Sequence, residues 1–180
     1  MSDQPLHRRV FFDTSVLYPV SLLDLLMRLA ENRIHDIIWS EDLLTELDDK
    51  WREGRTEGKR VPSEGAAAAA LEGIRRTFAD TRIDRHAYEH LIDHIPGNDE
   101  DDKLHIAAAK AGGATHIVTS DDSGGFPQDE IAELGIHVHL PDDYLTSLAV
   151  EIPDDWPSTA CFVILPHPIV ERLWSIDRPR

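Results

Sequence analysis

Two short β-prone runs, more than a hundred residues apart, each stop at acids: Val10-Phe11-Phe12 at Asp13, and Ile117-Val118 at Ser120-Asp121-Asp122. Apolar runs bounded in this way predict buried strands. Between them the pattern is helical. Leu22, Leu25, Leu26, Leu29 and Ala30 recur at helical spacing after Pro19, until Asn32 supplies a stop. Ile37-Ile38-Trp39 predicts a second strand, and Ser40 an N-cap for a helix carrying Leu43, Leu44 and Leu47, with Glu41 and Asp42 well placed in its first turn. Charges, glycines and Pro62 make 50–63 a loop or frayed helix end. An alanine-rich helix from Ala66 through Phe78, another from Arg85 to His94, and a third entered through the acidic stretch Asn98–Asp102 and ended by Gly112-Gly113 follow. A strand at 115–119, a helix around 129–134, a strand at 136–140 and a helix at 142–149 complete the pattern. Strands alternating with helices in this way predict one α/β domain over 1–150, with a mostly parallel sheet and helices on both faces.

That architecture gives the acids a shared address. Loops after parallel strands emerge on one edge, where open α/β sheets bind ligands, so Asp13 and Asp121 are expected together. Asp102 starts the helix just upstream of the second of these strands, and Glu46 lies at the border of the buried face of its helix. Each acid also has an ordinary reading: Asp13, Asp121 and Asp122 as turn residues, Asp102 as a helix cap, Glu46 as a solvated glutamate. Clustered carboxylates repel unless a cation sits among them, and hard oxygen ligands suit Mg²⁺ or Mn²⁺. Sites of that kind activate water in phosphodiester hydrolysis.

Composition sharpens the problem. The formal net charge is -16, which opposes nonspecific coating of a polyanion but not metal-mediated contact with one. Eleven acids and no Lys or Arg fall between Lys110 and Arg172, so the acidity is regional, and the first half is the more basic. Arg52, Arg55, Lys59 and Arg60 are the candidate phosphate contacts there. Cys161 is the single cysteine, which excludes an internal disulfide and a cysteine metal cage and points to a reducing cytoplasm. No signal-peptide core opens the chain, and no run approaches the roughly 18 to 20 apolar residues of a membrane span. Residues 151–180, with Trp156, Trp174 and the apolar run 161–165, form an extension expected to pack on the domain or on a partner. Among the histidines, His86, His90 and His94 read as a solvated helix face, His105 as packed on the sheet, and His137 and His139 as a half-exposed edge.

Four segments together carry a family likeness: residues 10–19 from Val10 to Pro19, Ser40 through Glu46, Asp102 to Ala109, and Ile117 to Asp121. In order and at ordinary spacing over about residues 8 to 146, with Phe126-Pro127 and Pro141–Leu145 also fitting, they resemble a PIN domain. The resemblance implies a Rossmann-like three-layer α/β/α fold and Mg²⁺- or Mn²⁺-dependent ribonuclease activity, as in VapC-type toxins of bacterial type II toxin–antitoxin pairs. It implies that Asp13, Glu46, Asp102 and Asp121 form a catalytic, metal-binding quartet, supported by Ser15 at a position where the family often has asparagine or serine. Asp122 is the other register for the fourth acid, because glycine stands at 124 and 125 where the family usually has an acid before Phe-Pro. RNA substrate, an antitoxin partner and a homodimer are the implied associations, with no membrane. Two alternatives remain. One is a catalytically degenerate PIN-fold binding protein. The other is a haloacid-dehalogenase-like phosphatase, disfavoured because Ser15 stands where it needs a second aspartate.

Overall fold

The computed structural model describes residues 8–97, 99–121 and 125–151. Five strands form one sheet: β1 (Arg9–Phe12), β2 (Asp36–Ser40), β3 (Arg82–Ile83), β4 (His116–Val118) and β5 (His137–His139). Their order is β3-β2-β1-β4-β5 and every pairing is parallel, so the expected mostly parallel sheet is wholly parallel among the described residues. Phe11 pairs with Ile38 on one side and Ile117 on the other. From β1 the chain first builds outward through β2 and β3, then returns to lay β4 and β5 on the opposite flank. The reversal lies between β1 and β4, and the crevice beyond their carboxyl ends is where such sheets bind ligands.

Seven α-helices accompany the described strands: α1 (Thr14–Leu17), α2 (Val20–Glu31), α3 (Glu41–Thr56), α4 (Glu64–Thr77), α5 (Glu100–Ala111), α6 (Gln128–Ala132) and α7 (Pro141–Glu151). Side chains alternate across β1, and the alternation separates the layers. Phe11 meets His105 of α5, whereas Phe12 meets Tyr144 of α7 and His35, which follows α2. The result is a three-layer α/β/α sandwich. Val10, Phe11, Phe12, Ile38, Ile117 and Val118 are fully enclosed, so the central strands tolerate no polar neighbour without a partner.

Two segments differ from the sequence expectation, each because a tertiary contact overrides local pattern. Helix α3 runs on in regular form to Thr56, into the stretch expected to be a loop or frayed helix end. Trp51 is fully buried on this extra length and donates from Nε1 to the Tyr18 carbonyl at 2.9 Å, while Gly54 packs against the Tyr18 hydroxyl and Val61. Conversely, 85–94 is not an α-helix but two short 3₁₀ turns, Arg85–Ala87 and Glu89–His94. Tyr88 is pulled inside to bond Asp42 through its hydroxyl, and Arg85 donates to the same carboxylate at 2.8 Å. His86, His90 and His94 therefore form no α-helical stripe. The short elements α1 and β3 carry too few residues for periodicity to reveal. The 151–180 extension, apart from Glu151 at the end of α7, lies outside the described residues.

Gly112 closes α5 directly over the sheet. A Cβ there would lie 2.6 Å from Ile38 Cγ2 and 2.9 Å from Ile83 Cγ1, both on packed strands. Gly112→Ala is expected to destabilise the fold by about 1–3 kcal/mol through overpacking, read as a lower denaturation midpoint with an unchanged denaturant slope. An unshifted midpoint would contradict this close approach.

Candidate active site at the carboxyl edge of the sheet

Asp13 follows β1 and keeps to the sheet: its N–H donates to the Val118 carbonyl at 2.9 Å. Its carboxylate, 6% exposed, caps α1 by accepting from the Ser15 N–H at 3.3 Å, and Oδ2 also accepts from the hydroxyls of Ser15 and Thr119. Oδ1 faces His105 Nδ1 at 3.2 Å. Those two hydroxyls also tie down the loop after β4. Ser15 Oγ accepts from the Ser120 N–H, and Thr119 Oγ1 accepts from the Asp121 N–H, both at 3.0 Å.

Glu46 enters from α3. Its Oε1 accepts from Thr14 Oγ1 at 2.7 Å and pairs with Lys50 Nζ at 2.6 Å, one turn along the same helix. Its Oε2 lies 2.9 Å from His105 Nε2, an ionic contact more than an aligned hydrogen bond. His105, 2% exposed, thus stands between two carboxylates supplied by different elements. Carboxylates only accept, so the ring is held in its doubly protonated form. Burial opposes that charge, yet the close contacts with Asp13 and Glu46 and their negative charge raise the imidazole to about 9. The carboxyls respond in kind. Burial alone would raise Asp13, but His105, Ser15 and Thr119 hold it well below the usual carboxylate range. Burial likewise opposes ionisation of Glu46, and His105, Lys50 and Thr14 bring it down to about 2.

Asp102 and Asp121 make the other half of the site. Asp99 caps α5 by accepting from the Asp101 N–H at 2.7 Å, so the capping role open to Asp102 in the sequence belongs to Asp99. Asp102 instead turns toward Asp121 across Gly125: a Cβ on Gly125 would overlap Asp102 Oδ2 and come within 2.7 Å of Asp121 Oδ2. Burial and then the negative charges of Asp13, Asp99 and Asp121 push the Asp102 carboxyl up to about 6. The missing side chain at Gly125 therefore leaves room for the two carboxylates to approach.

The four acids named from sequence are reached from one edge, joined in pairs by His105 and by the Gly125 cradle. Asp122 lies outside the described residues. The basic residues Arg52, Arg55, Lys59 and Arg60 sit further along α3 and in the segment after it, and most are engaged. Arg52 pairs with Asp48 and Asp49, Arg55 donates to the Pro62 carbonyl and Lys59 pairs with Glu57, while Arg60 is exposed. His105, Thr14, Thr119 and Lys50 were not singled out as site residues. The available signals were helical spacing, His105 three residues after Asp102 and Lys50 four after Glu46.

Among the described residues no three acids, histidines or cysteines converge in a geometry that would hold a metal ion as they stand. The donor chemistry nevertheless fits a hard divalent cation. Asp102 and Asp121 offer carboxylate oxygens crowded over one backbone carbon, and the Asp102 carboxyl is raised by burial first and then by the like charge that a cation would relieve.

The model of the PIN domain family matches residues 9–123, and the chain belongs to that family. PIN domains are generally nucleases and typically use divalent metals. No curated protein and no solved structure matches the chain. None of the described helices is long and apolar enough to cross a membrane.

Asp102 carries a pH-dependent stability cost. Its folded-state value of about 6 exceeds the ordinary 3.8, so folding disfavours the ionised form. The penalty is complete above pH 6 and fades as the pH falls through 6 toward 4. In chelator, Asp102→Asn is expected to stabilise the protein at pH 8 by about 1 kcal/mol, after allowance for solvent screening at a partly exposed group. The gain should vanish near pH 4 in thermal melts; an equal gain at both pH values would refute the account of a carboxylate disfavoured by burial and by its acidic neighbours.

Proposed function

We propose that the protein is a metal-dependent endoribonuclease that hydrolyses RNA phosphodiester bonds, with Asp13, Glu46, Asp102 and Asp121 as its acidic quartet and Mg²⁺ or Mn²⁺ as cofactor. The observation that carries this reading is the closure of Asp102 and Asp121 over Gly125, beside Asp13 and Glu46, at the crevice between β1 and β4. A bound divalent ion supplies Lewis acidity, lowering the pKa of water and neutralising phosphate charge. Asp102 and Asp121 would hold it, with Asp13 alongside. The chain's own task is preorganisation: Ser15 and Thr119 orient Asp13, while Thr14 and Lys50 orient Glu46. Lys50, partly exposed beside Glu46, is also a cation that a phosphate can meet. Arg52, Arg55, Lys59 and Arg60 extend that role along the flanking RNA, which an otherwise acidic chain needs.

We further propose that the chain is the toxin of a type II toxin–antitoxin pair. Family likeness supports this, and the acid-rich interval 111–171 suits a basic partner. One observation favours a second reading, a degenerate PIN-fold binding protein: Asp13 and Glu46 are already occupied by internal partners.

Cleavage of a panel of RNAs in Mn²⁺ separates the two. The wild type is expected to cleave, to stop in EDTA, and to lose at least about 100-fold in rate on Asp13→Asn. An Asp13→Asn protein as fast as wild type would sink the nuclease reading. Gly125→Ala should keep the melting temperature within a few degrees, since carboxylate ends can rotate aside, but lose roughly tenfold or more in cleavage as Asp102 and Asp121 are driven apart. Expression of the chain alone should arrest bacterial growth, with relief by Asp13→Asn.

A further inference from the structure

The face of the sheet that α7 covers carries a group of histidines that the acidic centre does not use. His116 opens β4, while His137 and His139 are the two ends of the neighbouring strand β5, with His116 in register with His137. Residues two apart on a strand point to one face, and so do residues paired across a ladder. All three imidazoles therefore stand on one side, where His116 and His139 meet Tyr144 of α7. The ring centroids are 5.2 Å apart for His116 and His139, 5.7 Å for His116 and His137, and 6.4 Å for His137 and His139. Three imidazoles on one tetrahedral ion, with metal–nitrogen bonds of about 2 Å, hold their centroids roughly 5 to 6 Å apart.

Two further observations point to a ligand. Nε2 of His139 is enclosed, yet among the described residues it has no hydrogen-bond partner, a state that a bound ion relieves. The hydroxyl of Thr115 donates to the Arg9 carbonyl at 3.2 Å, so toward His116 Nδ1, at 2.8 Å, it acts as acceptor. That contact places the proton of His116 on Nδ1 and the lone pair on Nε2. Outer hydrogen bonds of this kind fix the tautomer of metal-bound histidines.

We propose that His116, His137 and His139 form a nitrogen-lined metal site, separate from the acidic centre, that takes Zn²⁺ and leaves its fourth position to water. Imidazole suits zinc, whereas the carboxylates at the other site suit harder ions. As they stand the three rings do not converge on one point. His137 is exposed on the edge strand, so its ring is free to turn inward and close the set. Arg8 acts on His139 as an opposing charge, which Asp143 in the first turn of α7 partly offsets. A bound ion would tie the edge strand β5 to β4.

The test is calorimetric Zn²⁺ titration of the full chain, free of any affinity tag, in excess Mg²⁺ to occupy oxygen ligands. Wild type should hold one Zn²⁺ per chain and melt at a higher temperature when loaded. His137→Ala, a change at an exposed position, and His139→Gln should each weaken Zn²⁺ binding at least about tenfold, no less than the loss of an outer-shell partner costs. Asp102→Asn should leave Zn²⁺ binding unchanged. Nitrogen NMR of the wild type needs no variant to fold: Zn²⁺ should shift the ring nitrogens of His116, His137 and His139 together. Absence of Zn²⁺ binding, equal affinity in wild type and both histidine variants, a loss on Asp102→Asn alone, or shifts confined to other histidines would each overturn the proposal.

Discussion

Like charge at one edge of the sheet is the constraint around which this molecule is arranged. Carboxylates carried by the end of β1, by α3, by α5 and by the loop after β4 cannot share a crevice in low dielectric unless their charge is answered. The fold answers it in two different ways. On the side of Asp13 and Glu46 it buries an imidazolium and brings in hydroxyls and an ammonium, so those acids stay ionised and fixed. On the side of Asp102 and Asp121 the bare Gly125 lets the two carboxylates approach, and burial and like charge push the Asp102 carboxyl up. Crowded, partly buried carboxylates of that kind cost the fold stability.

A second network of charge serves the scaffold. Arg75 makes a paired contact with Glu41, Arg82 approaches Glu41 and bonds Asp84, and Arg85 bonds Asp42. These contacts clamp α4 and the segment 82–95 onto the first turn of α3. Arg75, Arg82 and Arg85 are thereby engaged by acids at the head of a helix, where negative charge is already favoured by the dipole. Holding the head of α3 fixes the entry of Glu46, five residues further on, into the crevice.

Much of this was legible in the chain. β1 and β4 announce themselves as apolar runs stopped by polar residues, and the cap at Ser40 marks the start of α3. Parallel topology then places their carboxyl ends together on general grounds. The remainder depended on partners remote in sequence. Nothing local to Lys50–Thr56 reveals that Trp51 has a carbonyl waiting at Tyr18, and nothing local to Tyr88 reveals Asp42. His105 was hidden by its company. Set among Ile106 and three alanines it reads as a packed residue, and it is indeed packed against Phe11, but the same burial places its nitrogens on Asp13 and Glu46. The cap of α5 was obscured because four successive acids, Asp99 to Asp102, all suit a helix start; geometry assigns the cap to Asp99 and releases Asp102.

The hydrogen bond from the Asp13 amide to the Val118 carbonyl has a consequence for the life of the chain. During synthesis Asp13 and Glu46 emerge early, but the strand that fixes the first of them is made more than a hundred residues later. Until β4 docks against β1, Asp13 has neither the Thr119 hydroxyl nor its amide partner, and His105 has only just been added. Contacts of such long sequence separation form slowly, so a growing polypeptide cannot carry a finished centre. The topology itself thus delays assembly of the crevice until β4 has been made and docked against β1.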